Sequence, residues 1–222
     1  MPTALIVGAS RGIGFELARQ YRADDWRVLA TARRPEDIAQ LQALGAEAFE
    51  LDVADAVSAS GLQWRLDGVA LDVAIVNAGV SGPHTTALEP PSQDEFDAVM
   101  HTNVLGPMRV IAQLTHCMAA NSRLAVTSSV MGSIGDRSNS HWWLYRASKA
   151  AVNSVLRDAS IQLDGSVICV AMHPGWVRTA MGGPQAPLSV EDSAAGIRRT
   201  LAGLGPADNG GFRGHDGSTI PW

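Results

Sequence analysis

Thr3-Ala-Leu-Ile-Val-Gly8-Ala-Ser-Arg-Gly12-Ile-Gly14 runs from a short apolar stretch through a glycine-rich turn into the beginning of a helical pattern. The apolar part reads as a buried strand, and the three glycines permit a tight turn behind it. The first N–H groups of the following helix then face the turn, an arrangement suited to an anion such as a pyrophosphate. Ser10, Arg11 and Ile13 belong to the same turn. The spacing departs from the commoner G-x-G-x-x-G, so a plain strand-to-helix turn competes for these residues.

The same alternation continues outward. Apolar runs at Arg27–Thr31, Ala46–Leu51, Leu71–Val76, Arg123–Ser128 and Ser166–Ala171 read as further buried strands. Helical spacing covers Gly12–Ala23, Glu36–Leu44, Ala54–Leu66, Gln93–Met118 and Leu144–Leu163, and Ser189 reads as the N-cap of a last helix ending at Leu204. Strands alternating with helices predict one doubly wound α/β domain over residues 1–222, a parallel sheet covered on both faces, with a ligand crevice at the carboxyl ends of its central strands. The Gly- and Pro-rich stretch 173–188 is expected to be a mobile loop over that crevice, and the tail Gly210–Trp222 to close on a short edge strand.

Composition narrows the function. The chain of 222 residues carries a net charge of −5 with scattered basic side chains, which gives no footprint for a nucleic-acid backbone. No stretch has the length of a membrane helix and no secretory pattern opens the chain, so a cytoplasmic protein acting on a small molecule is expected. Cys117 and Cys169 stand far apart in apolar surroundings and no metal-ligand spacing occurs, so no metal is expected. Of 17 basic residues 16 are arginine, and Lys149 is the single lysine.

Several positions carry candidate chemistry. About 20 residues after the glycine turn, where an NAD site would place an acid, the second strand ends on Arg33-Arg34. Together with Arg11 these favour NADP(H) over NAD(H), because guanidinium forks suit a 2′-phosphate; a solvated loop is the alternative. Two roles are open to Asp52 in Leu-Asp-Val53: accepting from an adenine amino group, or capping the helix at Ala54. Asn77-Ala78-Gly79 ends the fourth strand, where small residues let backbone lie against a cofactor or simply form a turn.

Tyr145 and Lys149 stand one helical turn apart on one face. An ammonium near a phenol, joined by the charge of an oxidised nicotinamide, favours the phenolate and lowers the phenol's pKa, which makes Tyr145 a proton donor and acceptor. Ser129, or its neighbour Ser128, ends the preceding strand where a hydroxyl would polarise a carbonyl. Asn103 sits in a helical stretch it does not favour, to hold a water near Lys149 or to mark a kink. Met131, Trp142, Trp143 and Trp176 are expected to wall an apolar substrate pocket or, for the two adjacent tryptophans, a subunit contact.

In that order, Gly8–Gly14, Asp52, Asn77-Ala78-Gly79, Asn103, Ser129, Tyr145/Lys149 and Pro174-Gly175 resemble the short-chain dehydrogenase/reductase family over nearly the whole chain. The resemblance implies a sheet of about seven parallel strands, a catalytic tetrad of Asn103, Ser129, Tyr145 and Lys149, and Lys149 on the nicotinamide ribose. It also implies that Pro174, Gly175, Val177 and Thr179 line the nicotinamide amide, and that Arg11 and Arg33 are the basic pair of NADP-using members. The Ser129-to-Tyr145 interval of 16 residues exceeds the usual one, and the chain is shorter than most members. Tyr-Arg-Ala-Ser-Lys-Ala-Ala-Val-Asn, His-Pro-Gly-Trp-Val-Arg-Thr and the Pro-Trp end resemble the sniffer-type carbonyl reductases and bacterial C-factor proteins. That branch implies reduction of an aldehyde, ketone or quinone, or oxidation of the alcohol, in a possible homodimer or homotetramer. A cofactor-binding signalling protein with incidental turnover is the alternative.

Overall fold

The computed structural model describes residues 1–222. Seven strands, β1 (Thr3–Val7), β2 (Arg27–Ala32), β3 (Glu47–Glu50), β4 (Leu71–Val76), β5 (Met118–Thr127), β6 (Val167–His173) and β7 (Gly211–Gly214), form one parallel sheet in the order β3-β2-β1-β4-β5-β6-β7. The order reverses between β1 and β4, so the crevice opens beyond Val7 and Val76, where the glycine turn and Asn77-Ala78-Gly79 emerge.

Both sheet faces are buried because successive strand side chains point to opposite sides. Leu5 and Val7 pack with Leu62, Ile111, Leu114, Val152 and Leu156 on one face. Ala4 and Ile6 pack with Leu17, Tyr21, Leu41, Ile197 and Leu201 on the other. The latter face is covered by α1 (Gly12–Ala23), α2 (Pro35–Ala43) and α8 (Val190–Gly203). The former is covered by the short α3 (Ala56–Ser60) and α4 (Leu62–Arg65), by α6 (Gly106–Leu114) and by the long α7 (Trp143–Gln162), with α5 (Gln93–Met100) preceding α6. No helix is long and apolar enough to cross a membrane.

Three expected elements differ. The helix predicted over 54–66 is broken at Gly61 into α3 and α4. The one predicted over 93–118 is three pieces: α5, a π-helical turn at His101–Leu105, and α6, after which the chain enters β5. Pro107 explains the interruption, since it has no N–H for the carbonyl of Asn103 four residues earlier. Strand β5 begins at Met118, five residues before the predicted start, but its register on β4 shifts between Leu71 and Val73 and becomes regular at Arg123. Asn121, with φ of 59°, marks the irregular part.

Candidate active site

The crevice is a cleft of about 490 Å³. Gly8, Ser10, Arg11, Gly12, Ile13, Arg33, Asp52, Val53, Asn77, Ala78, Gly79, Tyr145, Lys149, Pro174 and Thr179 all line it. Three other expected cofactor residues do not. Gly14 packs under the turn, where a Cβ would lie 2.2 Å from the Gly8 carbonyl oxygen, Gly175 sits against Leu188 and His215, and Val177 is buried and paired with Leu188. Gly8 itself has φ of +85°, and a Cβ there would come within 2.7 Å of Ala78 backbone. This close approach holds the two strand ends together and leaves the cradle open to a ligand.

The cleft fits an anionic dinucleotide. Helix α1 starts from an extended Arg11 with no side-chain cap and no acid in its first turn, so its leading N–H groups are open toward the cleft. Arg34 is spent on Asp37 at 2.8 Å and Glu36 at 3.3 Å. Arg33 is largely exposed, with Asp52 its nearest acid at 3.8 Å. Of the two arginines predicted for a 2′-phosphate, Arg33 is therefore the one available, with Arg11 beside it on the cleft wall. Asp52 Oδ1 accepts from Ala54 N at 3.0 Å, whereas the cap of α3 is Asp55, which accepts from Ser58 N at 2.6 Å. The capping role weighed for Asp52 thus falls to Asp55.

Tyr145 and Lys149 occupy the inner end of the cleft on α7, 7% and 4% exposed. Lys149 Nζ donates to the Thr127 carbonyl at 2.7 Å and lies 5.7 Å from the centre of the Tyr145 ring. Burial dominates both groups. It pushes the phenol up to about 12, against which the Ser129 side chain acts by favouring the ionised form, and it pushes the ammonium down to about 8. Desolvation is the larger cause for the phenol and the Ser129 hydrogen bond the one that opposes it; the lowering expected from sequence, by Lys149 joined with the charge of an oxidised nicotinamide, concerns the cofactor-bound form. Of the two serines, Ser129 interacts with the phenol, while Ser128 lines the cleft and donates its hydroxyl to Asn153 Oδ1 at 2.5 Å. Asn103 is buried in the π-helical turn, where its amide donates to Val80 O at 2.8 Å and Ser148 Oγ at 2.9 Å and its Oδ1 accepts from Val80 N. The kink is realised, and both amide donors are used to hold the segment after β4 against α7.

The sequence profile of the short chain dehydrogenase family matches residues 2–187. The chain belongs to that family. It is 38% identical over 155 residues to C-signal of Myxococcus xanthus, a match covering 68% of this chain and 93% of the relative. A carbonyl reductase from Pseudomonas aeruginosa PAO1 in complex with NADP superposes with a TM-score of 0.89 at 34% identity, covering 100% of both chains. Carbonyl reductase Sniffer of D. melanogaster gives 0.90 at 27% identity, again over 100% of both chains. These similarities place the chain in the sniffer and C-factor branch of the short-chain dehydrogenases.

Among the side chains expected to wall a substrate pocket of this short-chain dehydrogenase, only Trp142 meets the phenol. Its ring stands edge-on to Tyr145 at 6.1 Å and stacks on His84 at 3.9 Å, from a left-handed backbone with φ of 60°. The Trp143 indole is turned to the Glu89 carbonyl, and the Trp176 indole, 58% exposed, to that of Gly182. Met131 is tied through its N–H to Ser129 Oγ at 3.2 Å. Sequence reasoning passed over His84, a lone histidine in a loop, and Arg178 and Met181, which line the cleft from the 173–188 segment. It also passed over Arg146, which is buried and binds the His141 carbonyl and Asn139 Oδ1. Nothing in the local pattern marks His84 or Arg146, whereas Arg178 and Met181 fall in the 173–188 stretch expected over the crevice, and Thr102, also lining the cleft, adjoins Asn103.

Proposed function

We propose that the protein reduces an aldehyde, ketone or quinone to the alcohol with NADPH. The observation that carries this reading is the convergence of Tyr145 and Lys149, with Ser129 interacting with the phenol, in a cleft that is also lined by an uncapped helix start and by Arg11 and Arg33. Bound NADPH would supply a hydride to the carbonyl carbon. Tyr145 then gives its proton to the carbonyl oxygen, Ser129 donates a hydrogen bond to the same oxygen, and Lys149 orients the phenol and holds the ribose. A phenol pushed up to about 12 stays protonated at neutral pH, the form that reduction consumes. The segment 173–188, carrying Thr179, Arg178 and Met181, would close over the substrate. The NADP-bound carbonyl reductase of P. aeruginosa supports both the cofactor and the substrate class. Assay of the purified protein with NADPH against aldehydes, cyclic ketones and quinones tests the reading, and no oxidation of NADPH with any of them would refute it.

Two expectations follow from the geometry. If Arg33 and Arg11 hold a 2′-phosphate, NADPH should bind about ten to a hundredfold more tightly than NADH, and Arg33→Asp should erase or reverse that preference. Fluorescence titration with both cofactors decides it, equal affinities in the parent protein counting against the phosphate role. For pH, Lys149 is the first member of the cluster to titrate, near 8. Reduction should therefore decline above about pH 8 with the loss of one proton, and a profile flat to pH 10 would exclude an ammonium requirement.

A second reading, a signal protein that binds the dinucleotide without needing turnover, is favoured by the 38% identity to C-signal. A Tyr145→Phe protein that still binds NADPH separates the two: a biological output that survives supports signalling, and one that disappears supports catalysis.

A further inference from the structure

Thr127, the last residue of β5, and the two serines that follow it each engage a different turn of α7. The Thr127 carbonyl accepts from Lys149 Nζ at 2.7 Å, the Ser128 hydroxyl donates to Asn153 Oδ1 at 2.5 Å, and the Ser129 side chain lies against the Tyr145 phenol. Residues 145, 149 and 153 are one turn apart and share one helix face. Asn153 is 4% exposed, and its Nδ2 has no partner. An unpaired buried amide costs free energy that an apolar side chain would avoid. Its one bond goes to the residue adjoining Ser129. Pinning Ser128 to α7 fixes the end of the β5 segment against that helix, and with it the backbone that carries Ser129 beside the phenol.

We propose that Asn153 is a positioning residue which, through Ser128, sets the placement of Ser129 relative to Tyr145 for proton transfer. The proposal rests on the reading of Tyr145 as the proton donor. It assigns a role to a buried polar side chain that touches neither the cleft nor the phenol. It also accounts for why one of two adjacent serines is withdrawn from the chemistry.

The test is Asn153→Leu, which removes the acceptor and the unpaired amide at similar volume. With any carbonyl compound the parent reduces, kcat should fall about tenfold while KM, NADPH affinity and the thermal midpoint are held or the midpoint rises. Adding Ser128→Ala should cause no further loss, since both act through one contact. A lowered midpoint with unchanged kcat would make Asn153 merely structural and overturn the proposal, as would losses that multiply in the double variant.

A second measurement needs no turnover. The chain has two tyrosines, so a Tyr21→Phe background leaves Tyr145 as the lone phenol. Its ionisation in the NADP⁺ complex can be followed by ultraviolet absorbance. The titration midpoint should rise in Asn153→Leu as it does in Ser129→Ala. A midpoint that moves in Ser129→Ala but not in Asn153→Leu would overturn the proposal. If the parent reduces no carbonyl compound the proposed activity fails, and this titration still decides on Asn153. Should the leucine variant not fold, Ser128→Ala, which deletes a single oxygen, carries both readouts.

Discussion

Lys149→Met should abolish turnover and raise the thermal midpoint in the same protein. Burial lowers the Lys149 ammonium from 10.5 to about 8. In the unfolded chain it titrates near 10.4. Between these values the unfolded state binds more protons than the folded one, so stability from this group climbs as pH rises from about 8 to about 10. Below about pH 8 both states carry the charge and the folded one bears its full desolvation, roughly 3 kcal/mol. Methionine keeps the length, removes the charge and gives up the charge-assisted bond to Thr127, a loss of about 2 kcal/mol. A net gain of about 1 kcal/mol corresponds to a midpoint higher by about 2–4 °C at neutral pH, shrinking at pH 10. Thermal melts followed by circular dichroism check it, and an equal or lower midpoint at pH 7 would show that the buried ammonium carries no such cost. Turnover should drop by about a thousandfold, the range of a lost general acid-base partner. Lys149→Arg should fare little better, because a planar guanidinium does not fit a compact ammonium's place between Thr127 and the phenol. Normal turnover in the arginine variant would make the single lysine an accident of composition.

Tyr145→Phe is expected to lower kcat/KM by about two or more powers of ten while leaving NADPH binding in place. The substitution deletes one oxygen. The ring keeps its edge-on contact with Trp142, and the other cleft residues are untouched. What disappears is the proton delivered to the carbonyl oxygen, and Ser129 alone has no proton of suitable acidity to replace it. Cofactor titration beside steady-state kinetics separates the effects. Near-normal turnover with any good substrate would remove Tyr145 from the proton path, and lost NADPH binding would recast it as a binding residue.

Sequence by itself determined the periodic features. The alternation of apolar runs and helical stretches established a parallel sheet covered on both faces, because side-chain period is a local property that the backbone imposes. The glycine turn after β1, the four-residue step from Tyr145 to Lys149 and the isolation of that lysine among sixteen arginines were equally local, and the cleft unites them. The break before α6 was also written in Pro107, though the apolar spacing on either side of it masks the signal.

Tertiary structure alone decided everything that turns on a partner distant in the chain. Ser128 and Ser129 are alike until Asn153, 25 residues away, claims one of them. Arg33 and Arg34 differ because Asp37 neutralises the second, and the tryptophans separate because only Trp142 finds Tyr145 and His84. The direction of the Tyr145 shift belongs to the same group. A sequence shows the ammonium that lowers a phenol's pKa. It does not show how much water is excluded, and here the tyrosine is 7% exposed, so burial raises the phenol.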